Sequence, residues 1–206
     1  MYIPAHFESP DLEATHQLMK DYPLATLVTM GVNGMEANHI PLHFSTEPLS
    51  PGTLRGHVAR ANPMWRHLVP EVEVLAIFHG PEAYISPSWY ARKKQDGKVV
   101  PTWNYAVVHV YGKLQIKDDP DWLREQLETL TAAHESNLPQ PWAVGDAPAD
   151  YIGNLLKAVV GIEIQVTRLQ GKWKMSQNQP PENRMGVVKA LEQSGQGDVA
   201  GLIRPG

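Results

Sequence analysis

Short turns between β-like runs are what most constrain this chain. Residues 25–30 (Ala-Thr-Leu-Val-Thr-Met) and 35–44 form two such runs, with only Gly31-Val32-Asn33-Gly34 between them. So short a connection makes an antiparallel hairpin, because parallel neighbours need a crossover of a dozen residues or more. Pro48, Pro51 and Gly52 mark the next turn, and residues 53–60 read as a third strand. Asn62-Pro63 then opens a short helix to Leu68, with Asn62 at the N-cap and Pro63 at the first helical position. Residues 72–78 are a buried strand. Gly80-Pro81 separates them from a short extended piece at 83–85, and a polar insert follows at 92–98. Residues 102–116 form a long β-like run, and 159–169 the last strand.

Helices come first and late. Ser9 precedes Pro10 as a cap for a helix over residues 11–22. Asp118-Asp119-Pro120 caps a helix to about His134, with Leu123, Leu127 and Leu130 on one face. After a proline-rich loop at 139–148, a second helix covers about 149–158. Pro180-Pro181 starts a terminal helix to about Glu192, and the chain frays from Gly195 onward. No strand–helix alternation supports a doubly wound parallel sheet. The order favours a small antiparallel barrel with flanking helices in a single domain of 206 residues, with a helical insertion at about 118–158 and a C-terminal helix at about 181–193.

Composition narrows function. With no cysteine, disulfides, thiol redox chemistry, thiolate zinc sites and cysteine nucleophiles are excluded. Lys+Arg is 18 against Asp+Glu 22, a net charge of −4, which speaks against a domain built to coat phosphates. Charged residues are 19%, below the usual roughly 25%, a hint of polar surface hidden in a subunit interface. Eighteen prolines and sixteen glycines fit a turn-rich fold. Neither a secretory h-region nor a membrane-length apolar stretch occurs, so a soluble cytoplasmic protein is expected.

The common catalytic and nucleotide motifs are missing: no Gly-Lys-Ser/Thr phosphate loop, no G-x-G-x-x-G, no G-x-S-x-G and no H-E-x-x-H. His39 and His43 fall on one strand face about 13 Å apart, too far to share a metal, and no metal site is expected. Three polar-aromatic clusters remain. Residues 56–66 (Gly-His-Val-Ala-Arg-Ala-Asn-Pro-Met-Trp-Arg) carry a strand into a helix start, where backbone N–H groups with Arg60 and Arg66 suit an anion. Residues 80–90 and 100–105 hold Trp89, Trp103, Tyr84, Tyr90 and Tyr105, flat groups that stack on a planar ligand or fill an interface. Residues 171–179 (Gly-Lys-Trp-Lys-Met-Ser-Gln-Asn-Gln) follow the last strand with two cations and several amide and hydroxyl donors. Each cluster reads equally as capping, packing or a solvated tail.

In this order the clusters resemble the FMN-binding split-barrel proteins of the PaiB type, negative transcriptional regulators of protease synthesis and sporulation. The resemblance begins at Met1-Tyr2-Ile3-Pro4 and passes through Asn38-His39-Ile40-Pro41-Leu42. The strings Ala-Tyr-Ile-Ser-Pro-Ser-Trp-Tyr (83–90) and Pro-Thr-Trp-Asn-Tyr (101–105) carry it furthest, and it covers nearly the whole chain. It implies a mainly β fold, a six-stranded antiparallel split β-barrel with flanking helices, forming a homodimer with FMN at its interface. By position it implies cofactor contacts from His39, Ile40, Pro41 and Leu42, then from His57, Val58, Ala59, Arg60 and Asn62. The segment after the last strand adds Lys174, Ser176 and Gln177, and the partner subunit adds Trp103 and Asn104. Two departures stand out. The stretch Asn38-His39-Ile40-Pro41 lacks the arginine that the pyridoxamine-phosphate oxidase branch uses for the phosphate, and Gln179 stands where arginine is frequent. Fewer cations imply weaker FMN binding.

Three functions follow from the resemblance. The first is a flavin-dependent regulator; direct DNA binding comes with the family's label only, since the 181–192 helix balances Arg184 and Lys189 against Glu182 and Glu192. The second is an FMN-dependent oxidoreductase or flavin reductase, for which the flavin itself carries the redox chemistry, with His57 and His109 as candidate proton donors. The third is a haem-handling split barrel.

Overall fold

The structure is a computed structural model and describes residues 1–47, 51–69 and 71–203. Seven strands form β1 (Leu24–Gly31), β2 (Gly34–Pro41), β3 (His43–Ser45), β4 (Thr53–Ala59), β5 (Val74–Ile85), β6 (Thr102–Lys117) and β7 (Val159–Lys174). The helices are α1 (Leu12–Asp21), α2 (Met64–His67), α3 (Pro120–Glu135), α4 (Ala149–Lys157), α5 (Pro181–Gln193) and α6 (Gly197–Ile203). The chain divides into two compact units. One comprises Met1–Asp21, His79–Val108 and Gln170–Gly206, the other Tyr22–Phe78 and His109–Leu169. β5, β6 and β7 each supply residues to both.

The second unit holds the sheet, in the order β2-β1-β5-β6-β7-β4-β3. β1 pairs antiparallel with β2 and β5, and β4 pairs antiparallel with β3 and β7. The fold is mainly β with flanking helices, as expected, but the sheet has seven strands and, among the described residues, no ladder closes it, where six strands in a barrel were expected. The reason lies at Leu42. The run read as one strand over 35–44 changes partner there: β2 pairs with β1 from Leu24↔Pro41 to Gly31↔Gly34, and β3 pairs with β4. Leu42 donates its N–H to Pro23 O at 2.9 Å and buries its side chain completely. The two ends of the strand order are thus adjacent in sequence. The hairpin turn holds, with Gly34 at φ 109°, a backbone glycine adopts without strain. Pro48 of the expected next turn lies outside the described residues. Gly52 makes that turn at φ 133°, where a side chain would strike the Phe44 ring.

Asp119 caps α3 as the sequence indicates, its carboxylate accepting from Asp121 N (2.8 Å) and Trp122 N (3.0 Å). α3 docks with the Trp122 ring where a Cβ on Gly161 of β7 would sit. Arg55 of β4 lies 5.6 Å from that ring, and its Nε pairs with Glu163 Oε2 at 2.8 Å. Lys117 closes on the same carboxylate at 3.1 Å. Two partners and their hydrogen bonds compensate a carboxylate that is almost fully buried. Leu123, Val144, Ile152 and Leu156 form a small satellite core under α3 and α4.

In the first unit, four expectations change. α1 is capped by Asp11, whose Oδ1 accepts from Ala14 N at 2.7 Å, while the Ser9 hydroxyl goes to Thr15 and Asp11 O. β5 runs through Gly80-Pro81 without a break. β1 pairs with β5 at Leu75–Ile77, before Pro81, so no β1 ladder bond calls on the missing N–H. β7 continues to Lys174, five residues past the expected end, because Ser9 N bonds Gly171 O (3.1 Å) and Glu8 bridges Lys172. Residues 197–203 are helical, where fraying was expected. Val199, Ala200 and Ile203 are buried, which holds them in place. No helix among the described residues is long and apolar enough to cross a membrane.

Candidate functional site

In the second unit the fold brings two of the sequence-derived stretches together. Along β2 the side chains alternate, so His39 and Pro41 face outward while Ile40 is buried. Ile40, Leu42 and Val58 have side chains in the core and offer a ligand only backbone groups. Gly56 of β4 allows the approach: a Cβ there would come within 2.9 Å of Pro41 O and 2.8 Å of Leu42 Cδ2. Asn62 Nδ2 then donates to Asn38 Oδ1 (2.8 Å), and Asn62 Oδ1 accepts from Met64 N (2.9 Å), which occupies both ends of that amide.

Two residues in this group already have work. His57 Nδ1 lies 3.0 Å from Gln126 Oε1, which orients the ring on α3. Arg60 makes four hydrogen bonds: Nε to Lys157 O (2.7 Å), Nη1 and Nη2 to the Asp118 carboxylate (3.0 and 2.5 Å), and Nη2 to Val159 O (2.9 Å). The Asp118 hydrogen bond raises the guanidinium's pKa, and in return Arg60 holds the Asp118 carboxyl below the usual carboxylate range. Little of Arg60 is left for an anion. Arg66 is the exposed cation here, stacked 4.5 Å over Trp65. Ala59 is exposed as well.

In the first unit, β6 and the end of β7 build a pocket with polar and apolar walls. Asn104 is fully buried and Ser176 is 3% exposed. Asn104 Nδ2 donates to Ser176 Oγ (3.0 Å), and Ser176 Oγ stands 3.2 Å from Asn104 Oδ1. Ser176 has φ 61°, the left-handed region that a non-glycine residue enters at a cost of about 1–2 kcal/mol. Gln177 braces the same turn. Its Oε1 accepts from Met175 N (2.6 Å) and its Nε2 donates to Trp173 O (2.5 Å), so Gln177 shapes the turn instead of reaching outward. Lys174 Nζ contacts Thr102 Oγ1 at 2.5 Å. With Phe7, Tyr90, Val100, Pro101, Asn178 and Gln179 these residues enclose about 230 Å³. Burial pushes the Tyr90 hydroxyl up, so it stays protonated at neutral pH. Trp103, on the opposite side of β6, is 52% exposed and meets Tyr84, 48% exposed, edge to face at 6.0 Å.

Sequence reasoning missed Phe7 and Thr102 as pocket residues, and named Tyr90 only as one of the flat groups of the aromatic cluster. Thr102 was recoverable, since it shares a strand face with Asn104 two positions on. Phe7 carried no signal. The pairing of residues 8–9 with 171–172 brings it there.

FMN has a flat ring, a hydroxyl chain and a phosphate. Lys174, Thr102, Ser176, Asn178 and Gln179 match the chain or the phosphate in chemistry. At about 230 Å³ the pocket is smaller than the roughly 300–1,000 Å³ of sites that enclose a whole ligand, so it fits one part of the molecule.

Comparisons with known proteins agree with this chemistry. A family model described as "Putative FMN-binding domain" matches residues 1–168. An uncharacterized protein of Emericella nidulans is 36% identical over 230 residues, covering 95% of this chain and 92% of its own. The protease synthase and sporulation protein PAI 2 of Bacillus subtilis is 34% identical over 192 residues, covering 93% and 89%. The solved structure of the flavocytochrome Anf3 from Azotobacter vinelandii shares the fold, with a TM-score of 0.56 at 13% identity, over 84% of this chain and 72% of that one. The chain therefore belongs to the PaiB-type FMN-binding domain family, and its cofactor is FMN.

Proposed function

We propose that the protein works as a cytoplasmic homodimer in which bound FMN sets a regulatory state. The observation that carries this reading is the buried Asn104–Ser176 pair beside Lys174, in a pocket whose polar donors suit part of FMN. The exposed Tyr84–Trp103 pair supports dimerisation, because two large half-exposed aromatics gain by being covered. In this reading Lys174 and Ser176 serve the cofactor directly, Gln177 holds the turn at Ser176, and Asn104 of β6 braces Ser176 from across the pocket. In the second unit His39, Pro41, Ala59 and Arg66 offer outward side chains, and Ile40, Leu42 and Val58 contribute backbone. His57, Arg60 and Asn62 fix the strand end.

The regulatory part comes from PAI 2, whose name ties that relative to protease synthesis and sporulation. The charge of −4 and the balanced α5 make a DNA-coating mode unfavourable. An absorption spectrum of the purified protein after FMN addition, with light scattering for mass, tests the reading. Flavin bands on a two-chain species are expected. Rapid anaerobic bleaching by NADH or NADPH would replace the regulatory role with an oxidoreductase, and a Soret band would replace it with haem handling. A gel shift at about 150 mM salt tests DNA separately, and no preference for a specific duplex is expected.

A further inference from the structure

The family match ends at residue 168, and the flavin reading uses nothing from α5 or α6. Yet these helices carry the larger cavity. Pro181, Met185 and Val188 of α5, with Ile203 at the end of α6, wall a mostly apolar groove of about 450 Å³, within the range of pockets that take small ligands. Arg184 lies in the same wall. Its Nη2 donates to Ile203 O at 2.7 Å, which anchors the guanidinium and closes α6. Its Nε is buried and has no acceptor among the described residues. Buried donors are paired in the large majority of cases, so this N–H marks the place of an acceptor. Lys189 lines the groove too and carries an exposed ammonium. Glu192 lines the far end of the groove, eight residues past Arg184 and about 12 Å along a helix axis, so it stands away from an anion held at Arg184. Met185, 67% exposed, gives the groove an adaptable wall.

We propose that this groove binds a small amphipathic carboxylate. The carboxylate pairs with the Arg184 guanidinium and is drawn by Lys189, and the hydrocarbon lies along Met185, Val188 and Ile203. An anionic head suits a cationic donor pair, and an apolar body suits walls with few polar atoms. The groove shares no lining residue with the flavin pocket, so FMN and the carboxylate bind together.

Sodium octanoate is the probe, added to the full-length protein with its methionine methyls carbon-13 labelled and Met185→Leu assigning the signal. The Met185 resonance should move saturably with octanoate and stay still with octylamine, while the flavin spectrum is unchanged. Arg184→Gln should weaken octanoate binding tenfold or more, and Lys189→Gln a few-fold. If Arg184→Gln does not fold, Lys189→Gln alone decides. The proposal is overturned by equal shifts with octylamine, by no saturable shift up to about 10 mM octanoate (a free energy near −3 kcal/mol), or by unchanged affinity in the folded variants. A Met185 shift that follows protein concentration without octanoate would place a second chain in the groove and also overturn it.

Discussion

Lys174 and Asn104 sit in one pocket and do different work there, and single substitutions separate them. Lys174 supplies the pocket's cation, hydrogen-bonded to Thr102. A charge-assisted bond contributes about 1.5–3 kcal/mol, so Lys174→Ala should weaken FMN binding roughly ten- to hundredfold, read by quenching of flavin fluorescence, with the melting temperature little changed. Asn104 holds Ser176 in its left-handed backbone. Asn104→Ala strands a buried hydroxyl and should cost about 1–3 kcal/mol of stability, visible as a lower urea midpoint without FMN. Asp118 gives a pH signature. Its carboxyl is depressed from 3.8 by Arg60, so the stability it adds is present above that value and is lost as pH falls through the lower, folded one. Wild type should exceed Asp118→Asn in melting temperature at pH 6, and the gap should close on acidification below 3.8.

Glycines show how elements meet. In α5, Gly186 faces the carbonyl of Trp89 in the 3-10 turn Pro87–Trp89, and a Cβ would overlap that oxygen. In an open helix Gly→Ala stabilises by about 1 kcal/mol. At Gly186 the sign reverses, and about 1–3 kcal/mol should be lost to overpacking. Gly201 in α6 has nothing within 4 Å of its would-be Cβ, so Gly201→Ala should gain a few tenths to 1 kcal/mol. Denaturation of both variants checks the pair: if the two shift the same way, the contact of α5 with that turn is wrong. α3 and α5 were legible, since Asp119-Pro120 and Pro180-Pro181 are local start signals, whereas α6 falls where fraying was expected. β7 was not legible past Leu169, because its extension depends on Ser9 and Glu8, more than 160 positions away in the chain.

For the molecule as a whole, dimerisation and cofactor binding are expected to be coupled. If two chains share FMN, apparent flavin affinity falls when the protein is diluted below its own dissociation constant. Trp103→Ala, at a half-exposed side chain, should shift the mass toward one chain and weaken FMN in step, measured by sedimentation and flavin titration on the same samples. A monomer that binds FMN with undiminished affinity would separate the two properties and remove the interface from the site.

The sequence by itself determined the class of fold: short turns between β-like runs permit antiparallel pairing only, and capping residues locate three of the helices. It also located the polar strings, because Thr102-Trp103-Asn104 and residues 171–179 are dense enough to read directly. Only the tertiary structure decided which partner each strand takes at Leu42 and whether a donor is still available. Arg60 looked open from its neighbours in sequence, but Asp118, Lys157 and Val159, 58 to 99 positions on, occupy it. Caps and turns are settled within a few residues, so the local sequence holds them. Hydrogen-bond partners across a sheet are chosen by packing among distant segments, and no local pattern encodes that choice.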